Sequence, residues 1–180
     1  MKDLLKHSVP LALVCAVIIA VLFTFIGINR TVASAGKAVE KAYSDHDSRY
    51  GSVKEDVSSM IANAENLRAI GQANGIDVSA MTAALEAIAS VKASPVGFGD
   101  ALDRLYSSAS TVYQQIKVGS GADEGAKTSA TLFFADIDSS RMIISQNKLY
   151  KSAAEKYNKV ISSFPASLFA KGRKPAAVFG

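Results

Sequence analysis

Asp45, His46 and Asp47 place an imidazole between two carboxylates, residue types that hold metal ions or move protons. Adjacent positions on a helix are rotated by about 100° from one another, so the three side chains fan out over different faces. His46 falls on an apolar seam, which predicts a packed residue rather than a ligand. The other histidine, His7, abuts an apolar run near the start, so no two-histidine metal site is available to one domain. Asp136 and Asp138 point about 200° apart on a helix and form no acid/base pair. Cys15, the single cysteine, lies inside the apolar run, which excludes a Cys–His nucleophile and a disulfide framework. Residues 119–128, GSGADEGAKT, share letters with a phosphate-binding loop but lack its glycine before the lysine, its fixed spacing and a preceding strand. Ser152 and Glu155 match a capping box in letters but sit within a predicted helix. No catalytic, cofactor-binding or metal-ligating set is assigned, and no cofactor is expected. The expectation is a protein that is not an enzyme.

Tyr150, Tyr157 and Phe164 are spaced by seven and predict an aromatic row along a bundle seam, each hydroxyl reaching an edge. The elements that carry them follow from composition and periodicity. The 180 residues suit about one domain. Ala contributes 29 residues and Ser 22, against four prolines and no tryptophan, which favours helices over many short strands.

Val9 to Ile28 run twenty positions without a charge. At 1.5 Å per residue they reach roughly 30 Å, the thickness of the bilayer hydrocarbon. The run is read as a transmembrane helix through which the chain meets the lipid bilayer. A cleaved signal peptide is the alternative, since Ala33-Ser34-Ala35 resembles a peptidase site, although the run exceeds an ordinary signal core. Lys2 and Lys6 on one side and Arg30, Lys37 and Lys41 on the other leave the orientation open. Residues 30–164 balance 15 basic with 15 acidic groups, so no field recruits nucleic acid. The net charge of +4 comes from the ends, and Lys171, Arg173 and Lys174 form a basic tail able to touch anionic headgroups.

Beyond the span, Val32, Gly36, Val39, Tyr43, His46, Tyr50, Val53, Val57, Met60, Ala64 and Leu67 follow steps of four and three. The phase survives Gly51, so a helix unbroken to about Ala73 is compatible with it. Asn74-Gly75-Ile76-Asp77 is a stop followed by a cap. Val78, Met81, Leu85 and Ile88 mark a second helix, ended by Ser94-Pro95. Phe98, Leu102, Leu105, Ala109, Val112 and Ile116 mark a third. A fourth is predicted from about Lys127 to Ser163, with a seam of Ile143, Gln146, Tyr150, Ala153, Tyr157, Val160 and Phe164. The fold class is therefore all-α: an N-terminal transmembrane helix, then an elongated antiparallel bundle of three to four helices. The two long helices are expected to run antiparallel with the short ones stacked end to end between them. The expected division is an anchor over 1–29, a bundle over 30–164 and an apolar and basic tail over 165–180, its apolar part folding back over the bundle end.

Tyr157-Asn158-Lys159-Val160-Ile161-Ser162-Ser163-Phe164-Pro165-Ala166-Ser167-Leu168-Phe169-Ala170, with Gly172 and Phe179, resembles the C-terminal signature of the LemA family. Tyr150 matches a tyrosine of that family one heptad earlier. Val39-Glu40-Lys41-Ala42-Tyr43-Ser44 and Asp47 resemble its V-x-x-A-W/Y stretch. The chain departs from the pattern at Lys151, where asparagine is usual, at Asn147, which stands for an arginine, and after Arg49, where a longer motif is missing. It reads as a divergent member. Seam and resemblance together single out Tyr43, Tyr150, Tyr157, Asn158, Ile161, Phe164, Pro165, Ala170 and Phe179.

The resemblance implies a membrane-anchored helical bundle. The functional expectation is a single-pass protein of a bacterial cell (inner) membrane. It would act as an interaction scaffold or in membrane organisation, with a protein partner still to be identified and a possible homo-oligomer through the regular seams. A sensory or small-ligand bundle, motivated by His46 and Gln146 in the seam, and a secreted bundle released at Ala35 are the alternatives.

Overall fold

The computed structural model of the chain describes residues 2–46, 51–92, 94–169 and 172–178. Among these residues its regular elements are helical: α1 (Lys2–Ser44), α2 (Val53–Ala73), α3 (Ser79–Ser90), a short 3-10 turn (Pro95–Gly97), α4 (Ala101–Val118), α5 (Glu124–Gln146), α6 (Lys148–Ser162) and α7 (Ala166–Phe169).

The 43 residues of α1 extend about 65 Å and change character midway. From Val17 to Ile26 its large apolar side chains are between 42% and 71% exposed. From Val32 onward one stripe is buried: Val32, Ala35, Val39 and Tyr43 pack on α6. This helix is long and apolar enough to cross a membrane.

The predicted continuation of α1 is interrupted. The helix ends at Ser44, and Ser52 starts α2 through a capping box. The Ser52 hydroxyl accepts from the Glu55 amide at 3.2 Å, and the Glu55 carboxylate accepts from the Ser52 amide at 3.0 Å. Gly51 enters this cap at φ +76°, a left-handed conformation suited to glycine. His46 is not in the seam. Its side chain is exposed, with Nδ1 3.7 Å from Glu55 Oε2, because the helix that would have turned it inward has already ended. Asp47, Arg49 and Tyr50 lie outside the described residues.

The fourth predicted helix is also two helices. Asn147 ends α5 and caps α6, its Oδ1 accepting from the Tyr150 amide at 2.9 Å. The break shifts the seam by one residue. In α5 the buried positions are Ala130, Ile137, Ser140 and Ile144, not Ile143 and Gln146, and Gln146 is exposed. In α6 Tyr150, Ala154 and Tyr157 are buried, while Ala153 and Val160 are half-buried.

These interruptions divide the bundle into two storeys. In the storey far from the apolar end of α1, α2 packs along α5, and α4 packs on both. Val53, Val57, Met60, Ala64, Leu67 and Gly71 of α2 form its seam, with Leu102, Leu105, Ala109, Val112 and Ile116 from α4. The short helices α3 and α4 are packed side by side rather than end to end. Each has its own apolar stripe, and pairing them into a hairpin buries both on one site. In the near storey α1 packs on α6, and the turn over Pro95–Gly97 reaches α1. The two storeys meet at Tyr43, whose ring lies 6.0 Å from that of Phe98 and 6.2 Å from that of Tyr150.

Candidate functional site

Of the residues singled out by sequence, Tyr43, Tyr150, Tyr157, Asn158, Ile161, Phe164 and Pro165 are described and belong to the near storey, where residues 172–178 complete the packing. Ala176 and Ala177 are buried there, 3% and 2% exposed. Asn158 on α6 holds the tail in both directions: its Nδ2 donates to the Ala176 carbonyl at 2.9 Å, and its Oδ1 accepts from the Ala176 amide at 2.8 Å. One amide side chain thus replaces the neighbouring strand that an extended segment would otherwise require. The Tyr150 hydroxyl donates to the Ala177 carbonyl at 3.0 Å, and the Gly99 amide donates to the Pro175 carbonyl at 2.9 Å. The tail is a structural clasp joining α6 to the α3–α4 connection. The apolar segment before it is a separate element: α7 packs against both α1 and α6.

Burial controls the ionisation of the tyrosines. Tyr43 is pushed up to about 12 by burial, and Tyr150 is raised further by burial and by Tyr43 beside it. Tyr157 is raised by burial, with Arg173 opposing. All three stay neutral at ordinary pH and serve packing, to which Tyr150 adds its bond to Ala177, rather than acid–base chemistry. Ile161 is half-buried against the core. Phe164 leaves the row: α6 ends at Ser162, and the Phe164 ring is 81% exposed. Pro165 is half-buried, while Ala170 and Phe179 lie outside the described residues.

A groove runs along the contact of α1 and α6. Its upper part, about 380 Å³, lies between Arg30, Ser34 and Ala38 on one side and Ala153 and Lys156 on the other. Its lower part, about 380 Å³, lies between Thr24, Gly27 and Ile28 and the Phe164–Ala166 corner. Thr31 and Val160 line both parts, so the two are continuous. The groove exists because glycine, alanine and serine occupy positions that a larger side chain would fill.

The remaining candidates take structural roles. Residues 119–123 connect two helices, Asp123 caps α5 by accepting from the Ala126 amide at 2.7 Å, and Lys127 pairs with Glu124 at 3.1 Å. Asp138 accepts from the Tyr106 hydroxyl at 2.8 Å, whereas Asp136 is exposed on another face. Ser152 is exposed within α6, so the capping-box letters there are coincidental. Among the described residues no three His, Cys, Asp or Glu side chains gather into a metal site.

Sequence reading missed an aromatic row on the outer face of α4 and α5. Phe134 stacks on Tyr113 at 4.7 Å and tilts against Tyr106 at 5.9 Å, and Arg141 lies 4.3 Å over the Tyr106 ring. The spacing of seven between Tyr106 and Tyr113 was its signal. Ser52-Val53-Lys54-Glu55 was likewise a legible cap, directly before an apolar stripe. Comparison with family models, with curated proteins and with solved structures returns no match to this chain.

Proposed function

We propose that this chain is a membrane-anchored, non-enzymatic helical-bundle protein of the LemA type, single-pass in a bacterial inner membrane, that organises proteins at the bilayer. The observation that carries the reading is the continuity of α1. One helix contributes the exposed apolar run and, without a break, the buried stripe Val32–Tyr43 of the bundle. The bundle is therefore held at a defined height and rotation relative to the anchor, which suits a platform for other proteins. Release at Ala35 is disfavoured, because Val32 and Ala35 are packed in the core and cleavage would remove part of it. The small-ligand alternative loses its motive, since both His46 and Gln146 are exposed.

The test uses the full chain in its native membrane. The reading predicts that the protein resists alkaline extraction and keeps residues 1–35 by intact mass. It also predicts that photo-crosslinkers on the exposed faces of α3 and α4 join it to a reproducible protein partner or a second copy. A soluble product beginning after Ala35, or turnover of a substrate by the purified protein, contradicts it.

A further inference from the structure

The α1/α6 groove spans the level at which the anchor leaves the hydrocarbon. Thr24 lies about 9 Å below Arg30 along the helix, and Ile28 ends the uncharged run between them. The lower walls are apolar in effect. Thr24, Thr31 and Ser163 donate their hydroxyls to the carbonyls of Ala20, Gly27 and Val160, at 2.8, 3.0 and 3.1 Å, so each hydroxyl proton is already used within its own segment. The exposed Phe164 ring and Leu168, 55% exposed, extend the apolar surface of α1 outward at this level. The upper part carries two cations, Arg30 and Lys156, and no acid lines either part. Among the described residues neither cation forms an ion pair within 4.0 Å.

We propose that this groove holds one anionic phospholipid of the adjoining leaflet, its phosphate at Arg30 and Lys156 and an acyl chain along Thr24–Ile28 and the Phe164–Ala166 corner. The inference rests on the anchoring reading above. Two features select this occupant. The apolar lower part is continuous with the surface α1 presents to the bilayer, and the cations stand where headgroups lie, complementary to phosphate. The bound lipid fills the space that small residues leave between α1 and α6, and ties the near storey to the membrane surface.

The experiment reconstitutes the full chain in vesicles of equal palmitoyl-oleoyl phosphatidylglycerol and phosphatidylcholine, confirms flotation, and measures retained lipid by native mass spectrometry. The expected result is one phosphatidylglycerol retained over phosphatidylcholine by about tenfold. Arg30→Gln with Lys156→Gln brings that ratio to about one, and Ser34→Trp blocks retention of either lipid. All three positions are solvent-exposed, so an unchanged helical spectrum is expected and is checked for each variant. Equal retention of the two lipids by the floating wild-type protein overturns the proposal while leaving the anchor standing. Displacement by inorganic phosphate, or a dimer abolished by Ser34→Trp, overturns it in favour of a free anion or a second copy. Failure to float removes the anchor and the lipid site together.

Discussion

Asn158→Ala breaks the tail clasp at one residue. Two hydrogen bonds to Ala176, at 2.9 and 2.8 Å, are lost together. Each intramolecular bond contributes about 1 kcal/mol net. Ala176 is 3% exposed, so its amide and carbonyl are left without partners in a buried setting, at about 1–3 kcal/mol each if the tail stays docked. Undocking limits that cost, because the tail then leaves and forfeits the burial of Ala176 and Ala177 and the Tyr150 bond. The expected loss is therefore about 2 kcal/mol, a fall of roughly 4–8 °C in Tm for a chain of this size. The assay is thermal unfolding of the full chain in mild detergent, with hydrogen exchange of the C-terminal peptide at low temperature. Exchange of the Ala176 amide is expected to rise by an order of magnitude or more while the α2–α5 peptides keep their protection. Asn158→Asp sharpens the test: it keeps an acceptor for the amide but sets a carboxylate against the Ala176 carbonyl, so it also releases the tail. A Tm within 1 °C of wild type, with the tail still protected, refutes the clasp.

Further expectations follow from other points in the bundle. A Cβ on Gly71 would stand 2.8 Å from Val112 Cγ1 and 3.0 Å from Val78 Cγ1. Gly71→Ala should thus destabilise by about 1–3 kcal/mol in thermal or denaturant unfolding, and Val112→Ala should recover part of that loss in the double variant. Ser52→Ala removes the α2 cap and should cost about 1 kcal/mol by the same measurement. Asp56 is pushed up to about 6 by burial, with Glu55 adding repulsion. The folded chain therefore holds a proton there that the unfolded chain has released, and stability should fall as pH rises from about 4 to about 6. The shift corresponds to about 3 kcal/mol without screening, and to roughly 1 kcal/mol for a half-exposed group. Asp56→Asn should flatten that dependence and raise Tm at pH 7.

The apolar run and the far-storey seams were legible in the sequence because their physics is local. Steps of three and four at Val53, Val57, Met60, Ala64 and Leu67 mark one helix face whatever it packs on, and all five are buried. The break before Ser52 was hidden because the two helices keep the same phase across it. Its marker was the Ser52–Glu55 cap rather than any loss of periodicity. At Asn147 no glycine or proline punctuates the chain, and the apolar stripes of α5 and α6 differ by a single residue. Phe164 was misplaced because the seven-residue spacing was carried past the end of its helix. The clasp had no local signal at all: Asn158 meets Ala176 across 18 residues and Tyr150 meets Ala177 across 27, so only the folded chain brings them together.

The claim on which the rest depends is that one helix is both membrane anchor and bundle core. Single spin labels placed in turn from residue 18 to residue 44, on the Cys15→Ser chain in vesicles, test it directly through their accessibility to oxygen and to a water-soluble nickel complex. Oxygen-rich, nickel-poor sites are expected through Ile26. A helical period should then continue without a break, with Val32, Val39 and Tyr43 protected from both reagents. Nickel access at Val21 or Phe23 equal to that at Glu40, or a loss of the period between residues 28 and 32, would contradict it.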